Sequence, residues 1–472
     1  AHLFKNFHYR FLLGNLFQLG LLQHLTFTKW AEKYGPIFLI TLGVKRWLII
    51  SDPNIAHELM VKRGANYSNR DTTVISSEIL HPGNIGIVPS SGEYWRKLRQ
   101  IVHTALARKS VESYTSFIET ESVELMRDLY GKTVDPAVSC RQFALNIIYT
   151  VLYGKRFTSS KDPRSKELMR LGLGFINALG ADAIANIVPF MQYLPTGIAK
   201  RAKAIMKDYF PMMKTLFDEL KDEVNRGVAK PCVATHILER MEEQGLTDFE
   251  VHNLFVDMFA GGLDSTSIYL SWVIAILVVH PEIQERAHAE IDAVVGHDRL
   301  PKRTDETLLP YIRAIIREEL RFRPPGGWIS FPHQSIKEDT YEGFHIPADT
   351  SIVANVWAMH MDSVKYVNPE KFMPERYLNV TESSAASANG PIADRDHVAF
   401  GWGRRLCPGI HLTDAEAFVA TALLLWSYKI EVEEGGGLPN INKWTLGVTM
   451  HPKPYKVKFV PRHDKVKELL FA

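Results

Sequence analysis

Apolar residues recur at helical spacing through most of the chain and at strand spacing only near its two ends. From about residue 93 to residue 325, long helical segments are interrupted by Pro and Gly. Short β-rich runs lie at 37–42 and 47–51, and a strand-like alternation returns at 455–460. The pattern predicts a mainly α protein with a small β portion built from both ends of the chain.

One predicted helix is far longer than the mean helix of about 11–12 residues. It begins at a capping-box pattern, Thr247 with Glu250, and its apolar run continues to Val279, where Pro281 follows closely. Because this helix is apolar on almost every face, we expect it to be buried at the centre of the protein.

Length and composition are those of an ordinary globular protein, with 472 residues, 46% of them hydrophobic and 23% charged. The sequence shows no internal repeat and no linker, so we expect residues 1–472 to form one domain. Lys and Arg number 55 against 53 Asp and Glu, without a basic stripe. Nucleic-acid binding is therefore not expected.

The sequence contains three cysteines, Cys140, Cys232 and Cys407, and no C-x-x-C pair. An odd number in this arrangement fits neither a disulfide framework nor a multi-cysteine zinc site. Free thiols are typical of a reducing compartment.

Cys407 differs from the other two cysteines because it lies in a Gly-rich turn just before a predicted helix, beside Arg404 and Arg405. Backbone N–H groups, the helix dipole and the arginines would stabilise a thiolate at this place. A single thiolate without a second Cys or His nearby suits an axial haem ligand better than zinc. The alternative is a structural cysteine buried in a turn.

Two further patterns lie on predicted helices. Glu318 and Arg321 share a helix face and can pair, although a surface ion pair is the ordinary explanation. Gly261 and Gly262 interrupt the long helix just before Asp264, at a cost of about 1 kcal/mol each relative to Ala. Close helix packing explains such glycines, and so does a locally widened helix that leaves a groove above a cofactor.

The turn at 400–409 resembles the haem-binding signature of cytochrome P-450 enzymes, F-x-x-G-x-R-x-C-x-G, at every fixed position. Other signatures of that family follow in order from about residue 11 to residue 460. The resemblance implies the cytochrome P-450 fold, with the long central helix over haem b (iron protoporphyrin IX). It also implies that Cys407 is the axial ligand of the haem iron and that Phe400 is a cofactor-binding residue.

Within this resemblance, Glu318 and Arg321 match the family's buried ion pair. Arg376 completes the set from the segment 372–377, which resembles the motif F-x-P-E-R-[FY]. The implied role of these three residues is structural, since they would lock the part of the chain that carries Cys407.

The two haem propionates need Arg, His or Trp donors. Residues 95 to 99 resemble the family's W-x-x-x-R motif, and a histidine follows the E-x-x-R helix at the expected place. The implied donors are Trp95, Arg99, His333 and Arg405. Taken singly, each of them also fits a surface charge or a packed aromatic residue.

The segment from Gly261 resembles [AG]-G-x-[DE]-T, a motif whose acid–alcohol pair delivers protons to bound dioxygen. The candidate catalytic residues are Asp264, Ser265 and Thr266. Ser265 stands where the family usually has Thr; it keeps the hydroxyl but lacks the methyl group that restricts Thr rotamers. This departure leaves chemistry without oxygen insertion open.

The substrate pocket is inferred from the family by position only. The implied lining residues are Ile85, Ile87, Val88, Phe259, Gly262, Trp328, Ile329 and Val448. Their apolar character favours a small apolar or aromatic substrate. Ordinary core packing is the alternative for each residue.

The resemblance implies a monooxygenase, an oxidoreductase that acts on paired donors with O₂. Electrons would come from NADPH through NADPH–cytochrome P-450 reductase, with cytochrome b5 as a second donor. Residues 400–412 look most like fungal members of secondary metabolism. Two alternatives stay open: a haem-thiolate enzyme that couples, rearranges or dehydrates its substrate without oxygen insertion, and a non-catalytic haem-binding protein.

The first residues bear on membrane association. Residues 11–17 resemble the family segment that follows a membrane anchor and a Pro-rich hinge, and neither of these precedes it here. We therefore expect a trimmed form of a protein that is natively anchored on the cytosolic face of the endoplasmic reticulum. The apolar connector at 183–191 is expected either to dip into the membrane interface or to pack over the pocket.

Overall fold

The computed structural model of the chain is built mostly from helices, and it describes residues 14–187, 197–445, 447 and 449–472. The helices are α1 (Gln23–Tyr34), α2 (Pro53–Ala56), α3 (Gly64–Tyr67), α4 (Gly92–Ala105), α5 (Arg108–Ser113), α6 (Thr115–Leu129), α7 (Ala137–Tyr153), α8 (Pro163–Ile187), α9 (Gly197–Asn225), α10 (Val233–Leu238), α11 (Asp248–Val279), α12 (Pro281–Val294), α13 (Pro310–Phe322), α14 (Val356–His360), α15 (Ser384–Asn389), α16 (Ile410–Ser427) and α17 (Lys465–Phe471). The strands are β1 (Ile37–Leu42), β2 (Lys45–Ile50), β3 (Asn69–Arg70), β4 (Thr133–Val134), β5 (His333–Gln334), β6 (Asp339–Tyr341), β7 (Phe344–Ile346), β8 (Ser351–Ala354), β9 (Tyr428–Val432) and β10 (Val457–Pro461).

The sheets join distant parts of the chain. Among the described residues, one sheet has the order β1-β2-β8-β5-β3, another has the order β4-β10-β9, and β6 pairs with β7. The predicted hairpin is β1 and β2, with Ile37 opposite Ile50. Strand β2 then pairs in parallel with β8, where Leu48 faces Ile352. The prediction of a β portion built from both ends of the chain is confirmed.

The long central helix is α11, and it forms as the sequence predicts. The Thr247 hydroxyl accepts the N–H of Glu250 at 3.3 Å, and the Glu250 carboxylate accepts the N–H of Thr247 at 2.7 Å. This reciprocal cap satisfies two backbone donors that the first helical turn leaves without partners. Helices α7, α8, α9, α13 and α16 pack around α11, which buries it on nearly every face.

The two glycines of α11 do not widen the helix, which runs as a regular α-helix through both of them. A Cβ on Gly262 would lie 2.8 Å from Cδ1 of Ile148 in α7, so this glycine allows the two helices to approach closely. A Cβ on Gly261 would meet nothing within 4 Å. Close packing therefore explains Gly262, while Gly261 faces open space.

Among the described residues, α11 is the one helix long and apolar enough to cross a bilayer. Of its most apolar window, 83% is buried inside the protein, as expected of a core helix. The connector predicted at 183–191 lies outside the residues whose side chains the structure describes.

Candidate functional site

Cys407 ends a tight turn that leads directly into α16. Its N–H donates to the carbonyl of Phe400 at 2.9 Å, which closes the turn. Gly403 has a φ of +50°, and a Cβ at this position would collide with the carbonyl oxygen of Met60. Glycine is required here for both reasons, and the close approach packs the turn against the π-helical turn His57–Lys62.

The Cys407 sulfur lies in an environment that disfavours a bare thiolate. Burial raises the pKa of the thiol above its usual value, while the N–H of Gly409 and the Arg99 guanidinium lower it. A cation bound to the sulfur would favour the thiolate. In the described part of the chain, no group of three or more His, Cys, Asp or Glu residues is placed to hold a metal ion. Cys407 therefore offers a single protein ligand.

The predicted structural triad is brought together at the end of α13. Arg321 donates to both oxygens of the Glu318 carboxylate, at 2.7 and 2.8 Å, and both side chains are fully buried. Arg376 donates to the same carboxylate at 3.3 Å, and so does the N–H of Met373 at 2.9 Å. Arg321 also donates to the carbonyls of His360, the last residue of α14, and of Pro369. The triad thus ties α13 to the part of the chain that leads to Cys407.

A cluster of cations lies beside the Cys407 turn. Arg405 donates to the carbonyls of Ser68, Ile87 and Ser90 at 2.9, 3.1 and 2.6 Å. Its guanidinium stacks 3.9 Å from the centroid of the Trp95 ring. Burial, with the nearby charges of Arg70 and Arg99, lowers the pKa of Arg405 to about 8.

Two further arginines complete this cluster. Arg99 donates to the carbonyl of Leu406, and burial lowers its pKa below the usual value. Arg70 donates to the carbonyls of Phe331 and Pro332, and its Nε is buried without a partner. Burial, helped by Arg99, lowers the pKa of Arg70 to about 10. In the described part of the chain, the guanidinium groups of Arg70, Arg99 and Arg405 donate to backbone carbonyl oxygens, and none of them donates to a carboxylate.

His333 and Trp95 flank the arginine cluster but are held by backbone carbonyls. The His333 Nδ1 lies 2.8 Å from the carbonyl oxygen of Tyr67, to which it donates. Burial, followed by the charge of Arg70, holds the pKa of His333 well below its usual value. The Trp95 indole N–H donates to the carbonyl of Ile87 at 3.1 Å. These two side chains line the cluster, and Trp95 serves as the platform for the Arg405 guanidinium.

The middle of α11 has one open stripe. From residue 251 to residue 278, every residue is buried except Met258, Gly261, Gly262 and Ser265. Their spacing places them on one side of the helix. The Ser265 hydroxyl donates to the Gly261 carbonyl at 2.8 Å, so the hydroxyl and the open glycine lie together on this stripe.

Asp264 is directed to the C-terminal part of the chain. Its Oδ2 accepts the hydroxyl of Thr449 at 2.7 Å. The Nε2 of His451 lies 3.0 Å from its Oδ1, which is ion-pair distance without the alignment of a hydrogen bond. The Asp264 side chain is 5% exposed and that of His451 is 19% exposed, so the histidine is the more accessible member of the pair.

Thr266 points away from Ser265 and into the core. Its hydroxyl donates to the Glu416 carboxylate of α16 at 2.6 Å. Burial raises the pKa of Glu416 to about 7, against the lowering effect of this hydrogen bond. The bond joins α11 to the helix that begins just after Cys407, and the Glu416 charge in turn raises the pKa of Cys407.

Comparison with known proteins identifies the family. The family model for cytochrome P-450 matches residues 7–459. The chain belongs to the cytochrome P-450 family. A cytochrome P-450 monooxygenase of Armillaria gallica is 32% identical over 469 residues, which cover 97% of this chain and 90% of that protein. Another, virE of Hypocrea virens, is 31% identical over 466 residues, which cover 96% of this chain and 84% of that protein.

These fungal relatives confirm the enzyme class expected from the sequence, an oxidoreductase of the cytochrome P-450 monooxygenase type. Among solved structures, a zebrafish cytochrome P-450 superposes with a TM-score of 0.80 at 25% identity and covers 94% of this chain and 100% of that one. The predicted mainly α cytochrome P-450 fold is therefore confirmed.

The residues of this cytochrome P-450 fit haem, the cofactor that the family implies. Haem carries two carboxylates and one metal ion with an axial position. The arginine cluster offers one buried and two half-buried cations whose hydrogen bonds end on carbonyl oxygens, and Arg70 among them has a buried Nε that lacks a partner. A buried cation is stable only when an anion accompanies it. The propionates match that need, and the Cys407 sulfur matches the axial position.

Sequence reasoning missed three residues around this site: Arg70, Glu416 and His451. Arg70 belongs to no recognisable sequence motif. It lies in the cluster because β3 pairs with β5, which places Arg70 opposite His333. Glu416 gave a weak signal, since it is an acidic residue in an apolar helix. His451 gave none, because its partner Asp264 lies far away in the sequence.

The structure distributes the predicted substrate-lining residues over several environments. Ile85, Ile87 and Val88 are half-buried in the segment before α4. Phe259 is fully buried and packs towards α8, near Gly172. As described above, Gly262 packs against α7. Of these residues, Phe259 is closed off in the core, whereas Ile85, Ile87, Val88 and Gly262 are half-buried.

The remaining predicted lining residues lie in the C-terminal half. Trp328 is 2% exposed and packs edge-on against Trp357, 4.6 Å between ring centroids, and against Trp444. Ile329 is half-buried and pairs with Asn355. Val448 lies outside the described residues. The Trp328 ring is thus part of an aromatic cluster, as its alternative interpretation expected.

Proposed function

We propose that this cytochrome P-450 is a haem-thiolate monooxygenase that oxidises a small apolar or aromatic secondary metabolite. O₂ is the oxidant, and NADPH supplies electrons through a flavoprotein reductase, with cytochrome b5 as a second donor. The observation that carries the proposal is the largely buried Arg405 with the half-buried Arg70 and Arg99 beside Cys407, a cluster whose hydrogen bonds end on carbonyl oxygens. Haem is the dianion that fits this cluster and the neighbouring thiol.

In the proposed mechanism, Arg70, Arg99 and Arg405 would hold the haem propionates, and Cys407 would bind the haem iron. Haem would supply the O₂ chemistry, because a thiolate ligand favours O–O cleavage. His333 would donate from Nε2 to a propionate, whose charge would favour the doubly protonated ring. Phe400 holds the Cys407 turn through its carbonyl.

Protons reach the pocket through Asp264. Thr449 and His451 hold its carboxylate at the side of α11. His451, whose side chain is partly exposed, connects this carboxylate to water. Ser265 lies on the open stripe of the same helix, where its O–H donates to Gly261 and its oxygen can accept a hydrogen bond. Thr266 is a positioning residue, because its hydroxyl is bound to Glu416.

The pocket supports an apolar substrate. Its wall includes the half-buried Ile85, Ile87 and Val88, and its floor includes the open stripe of α11, none of which carries a charge. A ligand bound here is held by apolar contact and shape rather than by an ion pair. A screen of aromatic and polycyclic metabolites for shifts of the haem spectrum tests this; binding only by charged ligands would contradict it.

The haem-thiolate assignment is tested with carbon monoxide. Purified protein loaded with haem, reduced and exposed to CO should give the Soret band of a thiolate complex. Cys407→Ala should abolish that band, whereas Cys140→Ala, at a buried cysteine in α7, should preserve it. A normal band in Cys407→Ala would overturn the assignment.

Turnover under ¹⁸O₂ separates oxygen insertion from its alternatives. Label in the product supports the monooxygenase. Unlabelled product, with or without NADPH consumption, indicates coupling, rearrangement or dehydration, a reaction that the Ser265 departure favours. Neither product nor NADPH consumption with any pair of reductase and spectral ligand indicates a non-catalytic haem protein.

We further propose that the native protein lies on the cytosolic face of the endoplasmic reticulum membrane, beside its reductase. The support is the resemblance of the chain to family members of that location. Fractionation of the intact gene product tests it. Recovery in the soluble fraction at low salt would contradict membrane association.

A further inference from the structure

A buried histidine–aspartate pair joins α11 to the segment that precedes α4. The His81 Nε2 lies 2.7 Å from Oδ1 of Asp257, and the two side chains are 1% and 0% exposed. The His81 Nδ1 lies 2.7 Å from the carbonyl oxygen of Ser76 and donates to it. Both ring nitrogens therefore have oxygen partners, and the ring is held from two sides. The ring edge also packs against Phe175 of α8, 5.5 Å between centroids.

The second oxygen of Asp257 holds the backbone of the pocket wall. It accepts the N–H groups of Ile87 and Val88 at 2.7 and 3.2 Å. Gly86 lies directly against this oxygen, and a Cβ at that position would collide with it. One carboxylate thus binds His81 on one side and two consecutive amides on the other.

The same segment is bound at its opposite side to the cofactor-holding cluster. The Ile87 carbonyl accepts Trp95 Nε1 and Arg405, both at 3.1 Å, and the Ser90 carbonyl accepts Arg405 at 2.6 Å. The Ser90 hydroxyl closes the segment by donating to the carbonyl of Asn84 at 2.8 Å. The strap, defined as residues 84–90, is therefore fixed between α11 and the arginine cluster.

We propose that His81 and Asp257 form a positioning pair that determines which ligands the pocket admits. The pair acts by holding the strap, whose half-buried Ile85, Ile87 and Val88 side chains would form the wall of the pocket. The inference rests on the proposed function, because the pocket is the one over the haem. Without His81, the Asp257 carboxylate loses the partner that holds its Oδ1, and the two strap amides bound to its Oδ2 move with it, so the wall shifts. The shift of the wall should change the affinity for bulky ligands and leave the affinity for small ligands unchanged.

Azoles that bind the haem iron test the shape of the pocket without a known substrate. The haem-loaded wild type and His81→Leu are titrated with imidazole and with 4-phenylimidazole, and binding is followed by difference spectra. We expect His81→Leu to change the Kd of 4-phenylimidazole by about tenfold and that of imidazole by less than about twofold. His81→Gln keeps a donor at the Nε2 position and should behave as the wild type does.

The matched control is His252→Leu. His252 is also a buried histidine, 3% exposed, on α11, but it packs against Phe210 of α9 rather than against the strap. Its substitution should leave both Kd values unchanged. Asp257→Asn keeps the side-chain volume and one acceptor while it removes the charge. Its oxygen can accept the two strap amides while its N–H₂ group donates to a neutral His81, so it should behave as the wild type does. Asp257→Leu removes the acceptor and should resemble His81→Leu in the azole titration, which keeps the test available if His81→Leu folds poorly.

Hydrogen exchange measures the strap directly and does not depend on haem. The amides of Ile87 and Val88 should exchange about tenfold faster in His81→Leu and at the wild-type rate in His252→Leu. Unchanged exchange in the strap, or equal changes for the two azoles, would overturn the role of the pair. A wild-type protein without the thiolate–CO band would instead count against the proposed function.

Discussion

At the scale of single residues, the acid of α11 depends on a partner from the end of the chain. The Asp264 side chain is 5% exposed, and its Oδ1 has the imidazole of His451 as a close neighbour at 3.0 Å. A buried carboxylate that must take up protons repeatedly needs a neighbour that water can reach. His451 meets that requirement better than Thr449, whose hydroxyl only donates to Oδ2.

We expect His451→Asn to raise the hydrogen peroxide released per NADPH consumed by about fivefold or more, because slower proton delivery favours escape of partly reduced oxygen. The measurement is peroxide formed against NADPH oxidised with reductase present. His345→Asn, at an exposed position of β7, is the control and should not change the ratio. Equal ratios in both variants would show that His451 does not supply protons.

Glu416 gives a prediction with a defined pH dependence. Burial raises its pKa to about 7, above the value of 4.5 expected in the unfolded chain. The folded state then binds more protons than the unfolded state between these values, so Glu416 progressively destabilises the fold as the pH rises through this range. The effect is complete above the folded pKa and absent below the unfolded one.

We therefore expect Glu416→Gln to raise the free energy of unfolding at pH 8 by up to about 3 kcal/mol. Gln keeps an oxygen that can accept from Thr266, so the substitution removes the ionisation and not the bond. At pH 4.5 the gain should be much smaller. Urea unfolding at the two pH values measures the difference; a gain that is independent of pH would contradict the raised pKa.

At the scale of the element, α11 carries two glycines with opposite roles. Gly262 brings α7 close, with Ile148 in the space that a side chain would need, whereas Gly261 borders open space. The local sequence does not distinguish them, since both lie in one helical turn. The neighbouring helix makes the difference.

We expect Gly261→Ala to stabilise the protein by about 0.5–1 kcal/mol, through the helix propensity of Ala. Gly262→Ala should destabilise it by about 1–3 kcal/mol, because its Cβ overpacks against Ile148. Shortening that neighbour with Ile148→Val should recover part of the loss. Thermal unfolding compares the variants, and two glycines of equal effect would argue against the packing described here.

At the scale of the whole molecule, ion pairs of similar length contribute very different amounts to the free energy of unfolding. The Glu318–Arg321 pair is fully buried at 2.7 Å and binds the segments before Cys407. The Arg286–Glu375 pair, also at 2.7 Å, is exposed by 50% and 42%. Only the first joins parts of the fold that must hold the cysteine turn in place.

We expect Glu318→Ala to cost about 3–5 kcal/mol, since it leaves a buried guanidinium without its anion. It should also reduce haem retention. Arg286→Ala should cost less than about 1 kcal/mol, because water screens the exposed pair. Chemical denaturation and the haem-to-protein ratio provide the measurements; similar losses in the two variants would contradict the structural role of the buried pair.

That residues 1–472 form one catalytic domain remains a prediction about the whole molecule. The support is the sheet in which β1 and β2, from the start of the chain, pair with β8 and β5 from its C-terminal half. Limited proteolysis that released a stable half of the protein would contradict it.

By itself, the sequence determined the features that local spacing controls. The hairpin, the capped central helix, the Glu318–Arg321 pair and the turn before Cys407 depend on neighbours within a few residues, so the pattern of residue types predicts them. The fold class follows from the same local signals taken in order.

Only the tertiary structure decided which distant side chains meet. It paired His81 with Asp257, gave Asp264 a histidine partner at 451, and brought Arg70 to Arg405. It also placed Trp328 in an aromatic cluster, where its position in the family had suggested a pocket. The physical reason is that these contacts depend on helix packing and strand pairing between segments far apart in the chain, which no local pattern records.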